Sequence, residues 1–263
     1  MGGGLQYDEK ASRRVEAIYS TPDVVATRNA VLETLALRRG EQVLDIGSGP
    51  GYLAYDMARS VGPEGRVLGI DVSPDMLELS RRRCEGCANV DFKETEGAKL
   101  AIADASFDAA VSIQVYEYIP EVADSVAELY RVLRPGGRAV IMATDWDSLI
   151  CHSSDPERHF RVLAAWEEHV AHRCLPRILG PMLEEAGFRI LRRQLVPIFN
   201  PEYHENTYSH GIIELIAAFV PGRNGVTKKA AQAWANDLRR LGAAGRYFFS
   251  LNRYLFTAGK PDG

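Results

Sequence analysis

The 263-residue chain has only four cysteines, Cys84, Cys87, Cys151 and Cys174, too few and too scattered for a disulfide framework. Cys84-Glu85-Gly86-Cys87 is a lone C-x-x-C with no second ligand pair at matching spacing, so no metal site is expected. Long apolar runs are missing too. The longest near the end, residues 212–220, contains Glu214 and is far too short to span a bilayer. No charged-then-apolar leader opens the chain, and the expectation is a cytoplasmic protein with no membrane partner. A basic excess is absent: the net charge of −4 leaves no footprint for nucleic acid or anionic lipid. No Gly-Lys-Ser/Thr follows the glycine-rich turn described below, which excludes a nucleotide P-loop.

What is present is enough apolar residue, 46%, against 25% charged, to bury the core of one α/β domain. The chain is organised around Val43-Leu44-Asp45-Ile46-Gly47-Ser48-Gly49-Pro50-Gly51-Tyr52, an apolar strand running into three glycines spaced two apart. Such a turn lets a ligand approach main-chain N–H groups that side chains would block. A dinucleotide fingerprint would need its third glycine at position 52, where Tyr52 stands.

Around that turn, strand and helix patterns alternate. Strands are expected at residues 41–46, 66–71, 90–94, 107–113 and 138–144. Between them, Thr21-Pro22-Asp23 and Ser73-Pro74-Asp75 carry cap, proline and acid in the order that starts a helix, the first running to Gly40. Further helices are expected from Asp155-Pro156 to about His172, at 177–186, 205–219 and 227–241, with strands at 188–199 and 247–258. This rhythm implies right-handed crossovers and a doubly wound, mostly parallel α/β sheet.

The glycine stretch resembles motif I of the class I S-adenosylmethionine (SAM)-dependent methyltransferases, an acid followed by Gly-x-Gly-x-Gly. Later landmarks in the same order extend the resemblance over roughly residues 20–200. It implies a Rossmann-like seven-stranded sheet whose last strand is antiparallel, with a helical insertion between strands six and seven. As one methyltransferase domain the chain would divide into an N-terminal segment (1–20), a SAM-binding core (21–200), a helical lid (201–246) and a last strand and tail (247–263).

The resemblance implies SAM as cofactor, S-adenosylhomocysteine as product, and a small-molecule acceptor methylated on O, N or S. Asp45, Gly47, Ser48, Gly49 and Gly51 would form the cofactor turn. Asp71, 20 residues after Gly51, would accept the ribose hydroxyls, with Val72 and Met76 beside it. Glu96 and Gly97 would stand at the adenine, and Gln114 at the methionine half. Arg28 and Tyr19 are candidates for the cofactor carboxylate.

Residues 145–155 would leave strand five as a loop beside the methyl group. Asp145, Asp147 and His152 are therefore candidate acceptor-deprotonating groups, with the imidazole preferred as base. Tyr116, Trp146, Tyr203, His204, Tyr208, Asn252 and Tyr254 are aromatic or polar candidates for the acceptor pocket. The competing readings are an arsenite methyltransferase using Cys151 and Cys174, a protein methyltransferase, and a SAM-binding protein without the chemistry.

Overall fold

The computed structural model describes residues 16–96 and 99–262. Its centre is a seven-stranded sheet in the order β3-β2-β1-β4-β5-β7-β6. Strands β1 (Gln42–Ile46), β2 (Arg66–Asp71), β3 (Val90–Glu94), β4 (Phe107–Ile113) and β5 (Leu133–Cys151) run parallel. β7 (Phe249–Gly259) enters between β5 and β6 (Arg189–Asn200), antiparallel to both. The strand order turns back between β1 and β4, the switch point where open α/β sheets leave a crevice at their carboxyl edge.

Helices α1 (Pro22–Leu35), α2 (Tyr52–Val61), α3 (Pro74–Arg83), α4 (Val122–Val132), α5 (Pro156–Trp166) and α6 (Pro176–Glu185) precede β6. α7 (Tyr208–Phe219) and α8 (Lys228–Ala243) lie between β6 and β7, as the resemblance implies. The middle strands are apolar on both faces because each face is covered. Leu44, Ile46 and Ile141 pack with Leu129 and Leu183 of α4 and α6 on one face. Val43, Val111 and Val140 pack with Leu35 and Met57 of α1 and α2 on the other. A third cluster gathers where β5 and β7 run on past the end of β4: Trp146, Phe249 and Leu251 meet Trp166 of α5, Ile216 of α7 and Trp234 of α8.

Three expectations need correction. α1 ends at Leu35 rather than Gly40, because Ala36 takes a left-handed conformation (φ 46°) and its N–H closes onto Leu32 O. Thr21 does not cap it; its hydroxyl donates backwards to Ile18 O at 2.8 Å. Ser73, by contrast, accepts from Met76 N as a cap should. The larger correction is β5, which continues through the supposed loop to Cys151. Asp145 pairs with Asn252, and Ile150 and Cys151 pair with Ser250 and Phe249 across an irregularity. Among the described residues no helix is long and apolar enough to cross a membrane.

Candidate active site

β1 ends in the glycine turn, whose three glycines all have positive φ. Gly47 and Gly51 are required by packing: a Cβ on Gly47 would lie 2.2 Å from Val115 Cγ2, and one on Gly51 2.8 Å from Ser80 Cα. Gly49 differs, since its Cβ direction is open apart from the Tyr19 hydroxyl at 3.7 Å. The turn is therefore fixed at both ends and bare in the middle, and the first turn of α2 follows with backbone N–H groups free for an anionic or polar ligand.

Asp71 anchors this turn from the end of β2. Its Oδ2 accepts from Gly49 N and its Oδ1 from Ser73 N, both at 2.9 Å. Burial raises the Asp71 pKa, and the N–H groups of Ser73, Gly49 and Val72 work against that rise. Asp45 is more deeply placed, 2% exposed with Oδ2 unpartnered. Burial first, then the neighbouring Asp71 charge, push its pKa up to about 7. An orphaned carboxyl oxygen in a polar cleft is suited to a cationic ligand group.

A cavity opens from Asp45, Gly47 and Ser48 and holds about 1100 Å³ of empty space including its mouth. Gln114 lines it from the end of β4 in a strained left-handed conformation (φ 54°), its Nε2 donating to Thr144 Oγ1 at 2.8 Å. Tyr19 and Arg28 stand at the mouth over Tyr52: Tyr19 stacks on its ring, and Arg28 lies 4.9 Å from the centroid while pairing with Asp56 at 3.2 Å. Beyond Gln114 the walls become aromatic and apolar, with Tyr118, Trp146, Trp166, Tyr208 and Ile212, and Arg253 lies among them.

Several candidates are elsewhere. Strand alternation sends Trp146 into the cavity and Asp145 and Asp147 to the opposite face. There Arg177 of α6 holds Asp145 at 2.9 to 3.1 Å and also pairs with Asp147, which bonds Cys174 Sγ. The Cys174 hydrogen bond first, with the two arginines, holds Asp147 below its ordinary pKa. Asp145, Asp147 and Cys174 are close enough to ligate a cation, but arginines already occupy the carboxylates. His152 is exposed at the end of β5 and does not line the cavity.

The same alternation turns Asn252 and Tyr254 away and points Arg253, between them, inward. Tyr116 is buried in the core cluster beside Val122 and Leu129, and the cavity is lined by Tyr118 instead. Tyr203 packs on His210 and Tyr247, and His204 is exposed with Nδ1 accepting from Asn206 N. Val72 is exposed just beyond β2 and Glu96 just beyond β3, Met76 is buried in α3, and Gly97 lies outside the described residues. Cys151, buried in the third cluster, and Cys174 sit on opposite sides of β5, their thiols pushed up to about 12 and about 11 by burial, so they make no thiolate pair.

Arg253, Trp166, Tyr118 and Tyr52 were missed as cavity residues, although period-two alternation along residues 249–253 marks Arg253 as sharing a face with Phe249 and Leu251. A profile described as a methyltransferase domain matches residues 37–187. An uncharacterized 37.1 kDa protein of transposon TN4556 from Streptomyces fradiae is 31% identical over 257 residues, covering 93% of this chain and 70% of that one.

The chain belongs to the methyltransferase domain family.

It is a class I SAM-dependent methyltransferase, with SAM as cofactor. An arsenite methyltransferase from Halobacterium salinarum is 40% identical over 108 residues, but that alignment covers 40% of this chain and 28% of the other. Among solved structures, a putative methyltransferase from Bacillus halodurans superposes with a TM-score of 0.65 at 22% identity, over 90% of this chain and 99% of that one.

Proposed function

We propose that this methyltransferase transfers the methyl group of SAM to an O, N or S atom of a small organic acceptor held in the aromatic end of the cavity. The observation that carries this reading is the continuity of one cavity from the orphaned Asp45 carboxyl and the backbone of Gly47 and Ser48 to the chamber of Trp146, Trp166 and Tyr208. Asp45 would meet the cofactor's amino group, Ser48, Gly49 and Gln114 its methionyl chain, and Asp71 its ribose. Val72, Met76 and Glu96 would border the adenine; Arg28 and Tyr19 would close over the carboxylate. SAM supplies an electrophilic methyl on sulfur and leaves as a neutral thioether, so little charge must be stabilised.

The chain's own contribution is alignment and exclusion of water. Trp146, Trp166 and Tyr208 hold the acceptor by flat apolar surface, and α7 and α8 act as the lid that completes the chamber. The acceptor is a small molecule, and the working compartment is the cytoplasm. Release of S-adenosylhomocysteine from SAM over metabolite pools, with calorimetric titration of SAM alone, tests the proposal. SAM should bind in the absence of acceptor, with turnover in at least one pool. A protein that does not bind SAM sinks the site assignment, and one that binds it but turns over no pool sinks the acceptor reading.

A further inference from the structure

Arg253 is 1% exposed, yet it lines the aromatic end of the cavity. An arginine does not give up its proton inside a protein, so this is a permanent buried charge. Its Nε and Nη1 have no hydrogen-bond partner. The Tyr208 ring lies 4.5 Å from the guanidinium carbon, which tempers the charge without neutralising it.

Among the described residues no carboxylate bonds its Nε or Nη1. Glu117 is the acid whose charge Arg253 would favour, but neither of its oxygens has a hydrogen-bond partner, and burial lifts its pKa against the pull of that charge. Thr144 lies close enough to favour the charged form of Glu117, though not in hydrogen-bond geometry with it. Asp45 is three strands away, across β4 and β5, about 14 Å at the usual strand spacing. Asp45 belongs to the glycine-turn end, and Arg253 to the other.

Two further unpaired atoms at that end are donors. The indole Nε1 groups of Trp146 and Trp166 are buried without partners, and their rings meet edge to face at 5.7 Å. A forked cation and two N–H donors set in apolar walls match a planar oxyanion on a flat apolar body. The cofactor's own carboxylate is a poor occupant, since the glycine turn and Arg28 lie at the opposite end.

We propose that Arg253 is the anion-recognising residue of the acceptor site, and that the acceptor is an aromatic or similarly flat carboxylic acid whose carboxylate docks on this guanidinium. The proposal rests on the reading of the chamber as the acceptor site of a methyltransferase. It explains why so costly a charge is kept in a chamber otherwise built from tryptophan, tyrosine and isoleucine.

The test uses the full chain saturated with S-adenosylhomocysteine and titrates benzoate, 2-naphthoate and indole-3-carboxylate, each against its neutral amide. At least one acid should bind ten- to a hundredfold more tightly than its amide. Arg253→Met, which keeps the side-chain length, should abolish that preference, and Arg253→Lys, which keeps the charge but not the fork, should retain part of it. The Met variant should melt no lower than the wild type when ligand-free, because it removes a charge without a counter-ion.

Equal binding of every acid and amide to the wild type overturns the proposal, whether or not the variants fold. So does a preference that survives in Arg253→Met. SAM titrated into Arg253→Met separates the two readings: unchanged affinity leaves the cofactor site intact, whereas a loss of SAM affinity alone would assign Arg253 to the cofactor and overturn the acceptor proposal. Failure of the wild type to bind SAM at all would instead count against the cofactor reading.

Discussion

Asp45 sets a pH window on cofactor binding. Its carboxyl is raised from 3.8 to about 7, first by burial and then by Asp71. The folded state thus holds a proton that the unfolded chain releases, so the Asp45 contribution to stability falls as pH rises from near 4 to about 7 and is level above that. The cofactor's ammonium group favours the ionised acid, which gives binding the opposite trend. SAM affinity should rise between about pH 6 and 7.5, and Asp45→Asn should flatten that slope. Calorimetry across the window checks it, and a flat wild-type profile would remove Asp45 from the amino group. Gly49→Val should abolish SAM binding, because its branches enter the ligand's space rather than the protein's, and should also lower stability because a β-branched residue is strained at φ 51°; Gly51→Ala should mainly lower the melting temperature through its clash with Ser80. His152→Ala should leave kcat within about threefold of wild type, since the imidazole stands in solvent outside the cavity. A hundredfold loss would restore it as the base. The glycine turn, Asp45 and Gln114 were legible because strand ends and glycine spacing mark the switch point locally. Arg253 was not, because the partners that bury it, Tyr208 and the β5 extension, come from distant segments.

At the scale of elements, the boundaries of β2, β3 and β4 follow from short apolar runs between turn residues, and the structure reproduces them at residues 66–71, 90–94 and 107–113. The tail of β5 misleads because two acids, a serine and an indole in succession look like a polar loop. Its strand character comes from pairing with β7, about a hundred residues onward, and its acids are tolerated because α6 supplies Arg177. The helical insertion is tied back to the loop after β5 by Asp237 of α8, which accepts from Ser153 Oγ at 2.9 Å and Ser154 N at 2.8 Å. Burial alone would raise the Asp237 pKa, but hydrogen bonds from Ser154 and Ser153 outweigh it and hold the group below its ordinary value. The stability it contributes is therefore present above the unfolded pKa and lost as pH falls through the lower folded one. Asp237→Ala should cost about 1 to 3 kcal/mol by urea unfolding at neutral pH, with the difference from wild type narrowing in acid. A cost under about 0.5 kcal/mol would show that α8 is held by Trp234 and its apolar neighbours alone.

Across the whole molecule, the cavity is walled by α1, the glycine turn, the end of β4, the β5 extension, α5, α7 and β7, segments from nearly the full length of the chain. A ligand in it therefore bridges the parallel sheet and the third apolar cluster, which otherwise meet mainly through β5 and β7. That makes ligand-linked melting a test of domain organisation. If residues 16–262 unfold as one unit, S-adenosylhomocysteine at about a hundred times its dissociation constant adds about 2.7 kcal/mol to the entire transition. In a chain of this length that is a rise of several degrees in a single melting step. If the insertion instead forms a separate unit, scanning calorimetry of the ligand-free protein will show two steps, and only the one containing the glycine turn will move. The second outcome would make α7 and α8 an independently folding cap, and the aromatic chamber would then assemble only when cap and core dock. The extensive antiparallel pairing of β7 with both β5 and β6 favours the first, because the strand that follows the insertion lies inside the sheet and cannot leave without breaking it.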